Sequence, residues 1–293
     1  MTNLLPHLAQ QVFNNPFALH PDKAEVIISA LSGLMGVAPA GRGQGHQVAQ
    51  LSFSAEDGFA SVGHSRGGYD VVSGVAVIEV HGTLVERLGT RRPHSGMTGY
   101  DGILENVRSA LTDPEVAAVV LLIDSPGGEV AGCLDVADAI YSGRGTKPIW
   151  AILDESAYSA AYVIASAADR IYVPRTGGVG SIGITCAHVD FSKALTSAGL
   201  EVTLIPYGGR QPNGNGNSEN PLSNDELENL QADIAVTDKR LVDTVARNRR
   251  LTTQKIRDMQ AGTYLGAEGV KQGLADFVMS PEAAFNKFLE KLA

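Results

Sequence analysis

The chain has 293 residues, 44% of them apolar and 19% charged, enough for one large or two small globular domains with a sizeable core. Its formal charge of −9 counts against a nucleic-acid partner, which needs a basic stripe. Only two cysteines occur, Cys133 and Cys186, both in apolar surroundings, and they read as reduced thiols of a cytosolic protein rather than a disulfide framework.

Met1 to His20 has no basic leader, and Pro6, Asn14, Asn15 and Pro16 interrupt it, so no signal peptide is expected. No run reaches the roughly 18–20 apolar residues of a membrane span. Pro21 to Met35 reads as a short amphipathic helix, with Val26, Ile27, Ala30, Leu31 and Leu34 on one side. Gly36 to Gly68 is rich in Gly, Ala, Ser and Gln and reads as a flexible linker, so residues 1–72 form an N-terminal helical arm and linker.

From Gly74 the pattern changes. Val75 to Val80 predicts a buried strand, Asp101 to Leu111 a helix, and Val116 to Ile123 a second buried strand. That strand runs into Asp124-Ser125-Pro126-Gly127-Gly128-Glu129-Val130, and Ala131 to Tyr141 predicts the next helix. Pro148 to Leu153 is a third buried strand, followed by small residues that turn helical from Ser159 to Ala168. Strands alternating with helices of this length predict an α/β fold on a mostly parallel sheet.

Two places in this frame carry chemistry. Ser159 sits where a strand hands over to a helix, between alanines that let another backbone approach. It is either a helix N-cap, for which serine is favoured, or an exposed nucleophile at the positive end of a helix. Gly127 and Gly128 follow a strand and precede a helix, so their N–H groups are open to an anion, as in an oxyanion hole. The histidines, including His81 and His94, lack metal-ligand spacing, and neither a metal nor a cofactor is expected.

The order of Asp124 to Gly128, Ser156 to Tyr162 and Thr176 to Ile184 resembles the S49 serine peptidases, the signal peptide peptidase A family. Tyr264 to Asp276 looks like that family's closing motif, a helix that turns at Gly273 and delivers a last strand. Asn3 to Leu8, Phe13 to Pro16 and Ser95 to Ile103 are similar to its phage branch, the capsid-assembly or prohead proteases of tailed phages. The resemblance runs from about Gly74 to Val278 and implies a ClpP/crotonase-like spiral fold. It implies Ser159 as nucleophile, the N–H groups of Gly128 or Gly127 and of Ala160 as oxyanion hole, and Ser181 as the serine that orients the base. It also implies scaffold, portal and capsid polypeptides as substrates and a homo-oligomer, with no membrane or nucleic-acid partner. The place of action would be the host cytoplasm, inside the assembling procapsid.

The family's general base is a lysine on a loop after the next strand. Aligned on an expected strand Glu201 to Ile205, that position is Gln211. An amide has no useful pKa, and the adjacent Arg210 stays protonated. Four readings follow: an inactive form with Gln211 in place of the lysine, a slipped loop that brings in another lysine, His188 as base, or a fold kept only for assembly. Lys193 and Lys239 lie on the wrong side of the strand and well into the following helix. The wider resemblance also allows a cellular signal-peptide peptidase. An acyl-CoA enzyme of crotonase type would need a basic phosphate site, which is not evident.

Ser223 to Arg249 predicts a long helix capped by Ser223, with Leu227, Leu230, Ile234, Leu241 and Val245 as one apolar stripe. Arg247, Arg249 and Arg250 suit its C-terminus. Residues 73–280 are thus expected to form the protease-like domain, and 281–293 a C-terminal helix. The phage branch often carries a scaffold-like extension beyond this point.

Overall fold

The computed structural model describes residues 16–20, 63–65, 67–188, 190, 192–197, 199–203 and 221–292. Among the described residues the first elements are β1 (Pro16–Leu19), β2 (Gly63–Ser65), β3 (Asp70–Val72), β4 (Val75–His81), β5 (Thr83–Val85) and β6 (Met97–Gly99). There follow α1 (Tyr100–Thr112), β7 (Ala118–Ser125), β8 (Gly127–Glu129), α2 (Cys133–Gly143), β9 (Ile149–Tyr158), α3 (Ala160–Ser166), β10 (Arg170–Val173), β11 (Gly178–Gly180) and β12 (Thr185–Cys186). The last part holds α4 (Ser192–Ser197), α5 (Asn224–Arg249), α6 (Thr253–Asp258), β13 (Thr263–Leu265), α7 (Gly266–Gln272), β14 (Phe277–Val278) and α8 (Pro281–Leu292).

The three apolar runs become the centre of the larger sheet, where β4, β7 and β9 pair in parallel. Successive residues of a strand point to opposite faces, and here both faces are covered, which is why the runs are apolar throughout rather than alternating. Ala76, Ile78, Val119, Leu121, Ile123, Ala151 and Leu153 pack with residues of α1, α2, α3 and α5. Val75, Val77, Val120, Leu122, Trp150 and Ile152 pack instead with Ala284, Phe285 and Phe288 of α8. The mixed α/β architecture with a parallel core is as expected from the alternation of elements.

The larger sheet runs β13-β11-β9-β7-β4-β3-β2, with β10 and β14 branching from β9. β9 serves two neighbours in turn: Trp150 to Ile152 pair with β10, and Ala157 and Tyr158 with β11. Between these halves its register against β7 shifts, Ile123 facing Leu153 but Ser125 facing Ala157. The three residues Asp154, Glu155 and Ser156 bulge there, and the strand is re-aimed just before Ser159. A second sheet, β12-β1-β8-β5-β6, lies beside it.

Three expectations change. The boundary at residue 72 falls between β3 and β4, which are antiparallel partners, so Gly63–Ser65 and Asp70–Val72 extend the main sheet instead of linking to it. The strand expected over Glu201 to Ile205 does not form at residues 201–203: Val202 is exposed, and a strand needs a neighbour and a face to bury. Residues 204–205, the helix expected over Pro21 to Met35 and nearly all of the Gly36 to Gly68 linker lie outside the described residues. Helix α5 has its capping box, with Ser223 and Glu226 bonded reciprocally, but its apolar stripe is buried only from Leu241 onward; Leu227 and Val236 are exposed.

Candidate active site

Ser159 is the residue between β9 and α3, and its backbone is strained, with φ 53° and ψ −117°. A non-glycine residue at positive φ costs on the order of 1–3 kcal/mol and persists only where its surroundings fix it. Here they do. The Ser159 N–H donates to the Gly180 carbonyl at 2.8 Å, and its own carbonyl accepts from Val163 N–H at 3.0 Å in the first turn of α3. The side chain makes no capping bond, which removes the N-cap reading. Its hydroxyl instead donates to the Gly183 carbonyl at 3.3 Å, and the residue is 1% exposed.

The segment that receives both bonds carries Ser181, the second strained serine, at φ 54°. Its N–H donates to the Gly262 carbonyl at 2.9 Å, and the residue is buried. Gly180 must be glycine, because at φ 113° a Cβ would lie 2.5 Å from that same carbonyl. Residues 180–183 are therefore clamped between the Ser159 turn and the Gly262 turn, and Ser181 is carried to the same end of the sheet as Ser159.

Gly127 closes the site from the other side. A Cβ on it would stand 2.9 Å from the Tyr158 carbonyl, 3.1 Å from Ala160 N and 2.3 Å from the Ala18 carbonyl, so its bareness lets three backbones meet. Its own N–H is committed to Ser125 Oγ at 3.1 Å, while that hydroxyl donates to the Gly82 carbonyl at 2.6 Å. Gly128 lies between β1 and β5, where a Cβ would come within 1.9 Å of the Leu84 carbonyl. Ala160 heads α3, so its N–H has no acceptor within the helix.

Ser159, Ser181, Gly127, Gly128 and Ala160 thus converge, although they come from three separate stretches of sequence. Gln211 and Arg210 lie outside the described residues. Among the described residues no Lys, His or carboxylate side chain bonds to the Ser159 hydroxyl. Lys239 is paired with Asp243 at 2.5 Å on the surface of α5, Lys193 is exposed on α4, and His188 follows β12. Asp124, at the mouth of the turn, accepts from Ser156 N–H at 3.2 Å; burial raises its carboxyl above the usual range. Burial likewise pushes the Cys133 thiol, beneath the Ala160 carbonyl, up to about 12, so it is an inert core thiol. Sequence reading missed β1, whose Ala18 meets Gly127 and whose His20 ring lies 4.9 Å from that of Tyr158. Four residues, Pro16 to Leu19, have too few positions to show a period.

Compared with known proteins, residues 143–293 match the model of "Peptidase family S49". Capsid assembly protease C of Escherichia phage lambda is 37% identical over 295 residues, covering 98% of this chain and 66% of that protein. Head-tail preconnector protein GP5 of Enterobacteria phage P21 is 37% identical over 293 residues, covering 98% of this chain and 57% of that protein. Protease 4 of Haemophilus influenzae is 26% identical over 221 residues, 75% of this chain and 35% of its own length. The chain therefore spans less than two thirds of the length of the phage relatives. The matched region takes in the Ser159 turn, the clamped Gly180–Gly183 segment and the closing turn at Gly273; the chain belongs to peptidase family S49.

Proposed function

We propose that the chain is the protease portion of a phage or prophage capsid-maturation serine endopeptidase, built on a ClpP/crotonase-like spiral fold. The observation that carries this is the strained, uncapped Ser159 between two backbone clamps, which holds its hydroxyl where a strand end, a glycine turn and a helix N-terminus meet. Ser159 Oγ attacks the scissile carbonyl and loses its proton to a base. The developing oxyanion takes N–H donors from Gly128 and Ala160; Gly127, whose N–H is already bonded to Ser125, supplies room rather than a donor. The amine leaves with a proton, and water releases the acyl group to restore the hydroxyl. Ser181 orients the base. The phage relatives' names, a capsid assembly protease and a head-tail preconnector protein, support substrates among capsid-assembly polypeptides. Scaffold, portal and capsid polypeptides in a procapsid, a homo-oligomer and the host cytoplasm are what the family resemblance adds to this proposal.

The base position decides this chemistry. A Ser–Lys site uses a desolvated lysine, and counting from residues 201–205, of which 201–203 form no strand, that position is Gln211. A glutamine cannot take the proton, and losing a base costs several orders of magnitude in rate. That residue favours a second reading, a non-catalytic capsid-assembly protein on the same fold. A cellular signal-peptide-peptidase-like role is the third; no helix among the described residues is long and apolar enough to cross a membrane.

The test is cleavage of co-expressed capsid and scaffold proteins by the chain, by Gln211→Lys and by Ser159→Ala. We expect cleavage with Gln211→Lys at least a hundredfold above the chain as it stands, and none with Ser159→Ala. Equal cleavage by the chain and Gln211→Lys, lost in Ser159→Ala, would put the base elsewhere. No cleavage by any folded form would support the assembly reading.

A further inference from the structure

Strand β1 is the chain's own N-terminal segment, yet it is the one strand flanked by β8 on one side and β12 on the other. Both pairings are antiparallel: Phe17 faces Glu129, Ala18 faces Gly128 and Leu19 faces Gly127, while Pro16 faces Cys186 and Phe17 faces Thr185. Without β1 the two neighbours would present facing rows of backbone N–H and C=O groups, the kind of edge an extended peptide joins.

The register places this strand on the chemistry. His20 N–H donates to the Pro126 carbonyl at 2.9 Å. Exchanging pairs alternate along an antiparallel ladder, so the next such pair is Ala18 with Gly128, and the Ala18 carbonyl takes the Gly128 N–H. The point a Gly127 Cβ would occupy is 2.3 Å from that carbonyl oxygen and 3.1 Å from Ala160 N. A backbone carbonyl of the chain itself therefore occupies one of the two N–H groups assigned above to the oxyanion, beside the Gly127 turn that also approaches the other. Ala18 is 0% exposed, and the His20 ring leans on Tyr158, the residue before Ser159.

From this placement we infer that the groove between β8 and β12 docks an extended polypeptide with a small residue opposite Gly128, and that Pro16–Leu19 is its resident occupant, which a substrate strand must displace. The inference rests on Ser159, Gly128 and Ala160 forming the reactive centre. A tethered strand faces its groove at an effective concentration on the order of millimolar, so the occupant sets a threshold that only a well-matched or locally concentrated polypeptide passes.

The test reads occupancy without bond cleavage. Directly opposed antiparallel residues stand about 4.5–5.5 Å apart at Cα, within disulfide range, so a Pro16→Cys sulfur faces native Cys186; Cys133 is buried and does not compete. In the full chain carrying Pro16→Cys, mild oxidation is expected to form this cross-link, read by peptide mass. The probe is a labelled synthetic peptide of residues 13–21. It should bind Ala18→Asp, whose buried charge expels β1, at least tenfold more tightly than the parent, and should not bind the oxidised lock; reduction returns the lock to parental binding. If Ala18→Asp does not fold, the oxidised and reduced lock decide the matter alone. Failure to cross-link, or a probe bound equally well by the oxidised and reduced lock, overturns the inference. Binding as expected with no cleavage by any form, Gln211→Lys included, would sink the protease reading and leave the docking groove standing. Cleavage by the Gln211→Lys chain that is indifferent to the lock would do the reverse.

Discussion

At the scale of single residues, the site is made by backbone conformations that side chains usually avoid. Ser159 and Ser181 both have positive φ, and each is fixed by its N–H donating to a carbonyl on another strand or turn. Close to them, Asp124 has its carboxyl raised above the usual range, first by burial and then by repulsion from Asp154 and Glu155, against the Ser156 N–H and His81. A carboxyl raised in the folded state holds its proton to higher pH than in the unfolded chain. Its contribution to stability is therefore greatest at low pH and declines as pH rises through the folded value. Asp124→Asn keeps an acceptor for Ser156 N–H and removes the buried charge. The variant should melt above the parent at pH 7, with the gap closing as pH falls toward 4. A gap that is reversed at pH 7 would mean that the carboxylate has a favourable partner.

At the scale of elements, α5 is two helices in energetic terms. Its C-terminal half is anchored: Arg249 reaches Asp276 at 3.0 Å and the Gly273 carbonyl at 3.1 Å, and Asn248 donates to Ser166 at 3.0 Å. The basic end expected to complement the helix dipole is thus also a brace between α5, α3 and the closing turn. The N-terminal half buries little and opens on a capping box, in which Ser223 N–H reaches Glu226 at 2.8 Å and Glu226 N–H returns to Ser223 Oγ at 3.3 Å. Removing a serine cap costs about 1 kcal/mol. Ser223→Ala should lower amide-exchange protection over residues 224–240 by roughly fivefold, yet barely move the global melting temperature, because burial starts at Leu241. A large fall in that temperature would show that the exposed half is held by the fold after all.

At the scale of the whole molecule, the parallel sheet is stable because each face has its own cover. On the second face Trp150 stacks on Phe288 at 4.2 Å and on Tyr172 at 4.6 Å, and Tyr172 stacks on Phe277 at 5.0 Å. The C-terminal helix α8 is therefore part of the domain and not an appendage. Phe288→Ala should cost about 3–5 kcal/mol through lost burial and the cavity left behind. Trp150 is the sole tryptophan, so its fluorescence during denaturant unfolding reads this loss directly. A cost near zero would mean that α8 undocks freely from the sheet.

The amino-acid sequence by itself determined the three central strands, because residues buried on both faces leave an unbroken apolar run. It likewise determined the Ser223 cap, the closing turn at Gly273 and the small-residue seat of Ser159, since each is set by sterics or hydrogen bonds within a few residues. The tertiary structure alone decided the rest. It extended β9 through Tyr158 because Ala157 and Tyr158 find partners on β11, and residues 201–203 pair with no strand among the described residues. It set Pro16–Leu19 against Gly127 and Glu129, more than a hundred residues away, and that pairing brings Ala18 to the Ser159 turn. Local patterns record which face of an element is buried; the partner that buries it is chosen by loop closure and backbone hydrogen bonds across the whole chain, which no short window of sequence contains.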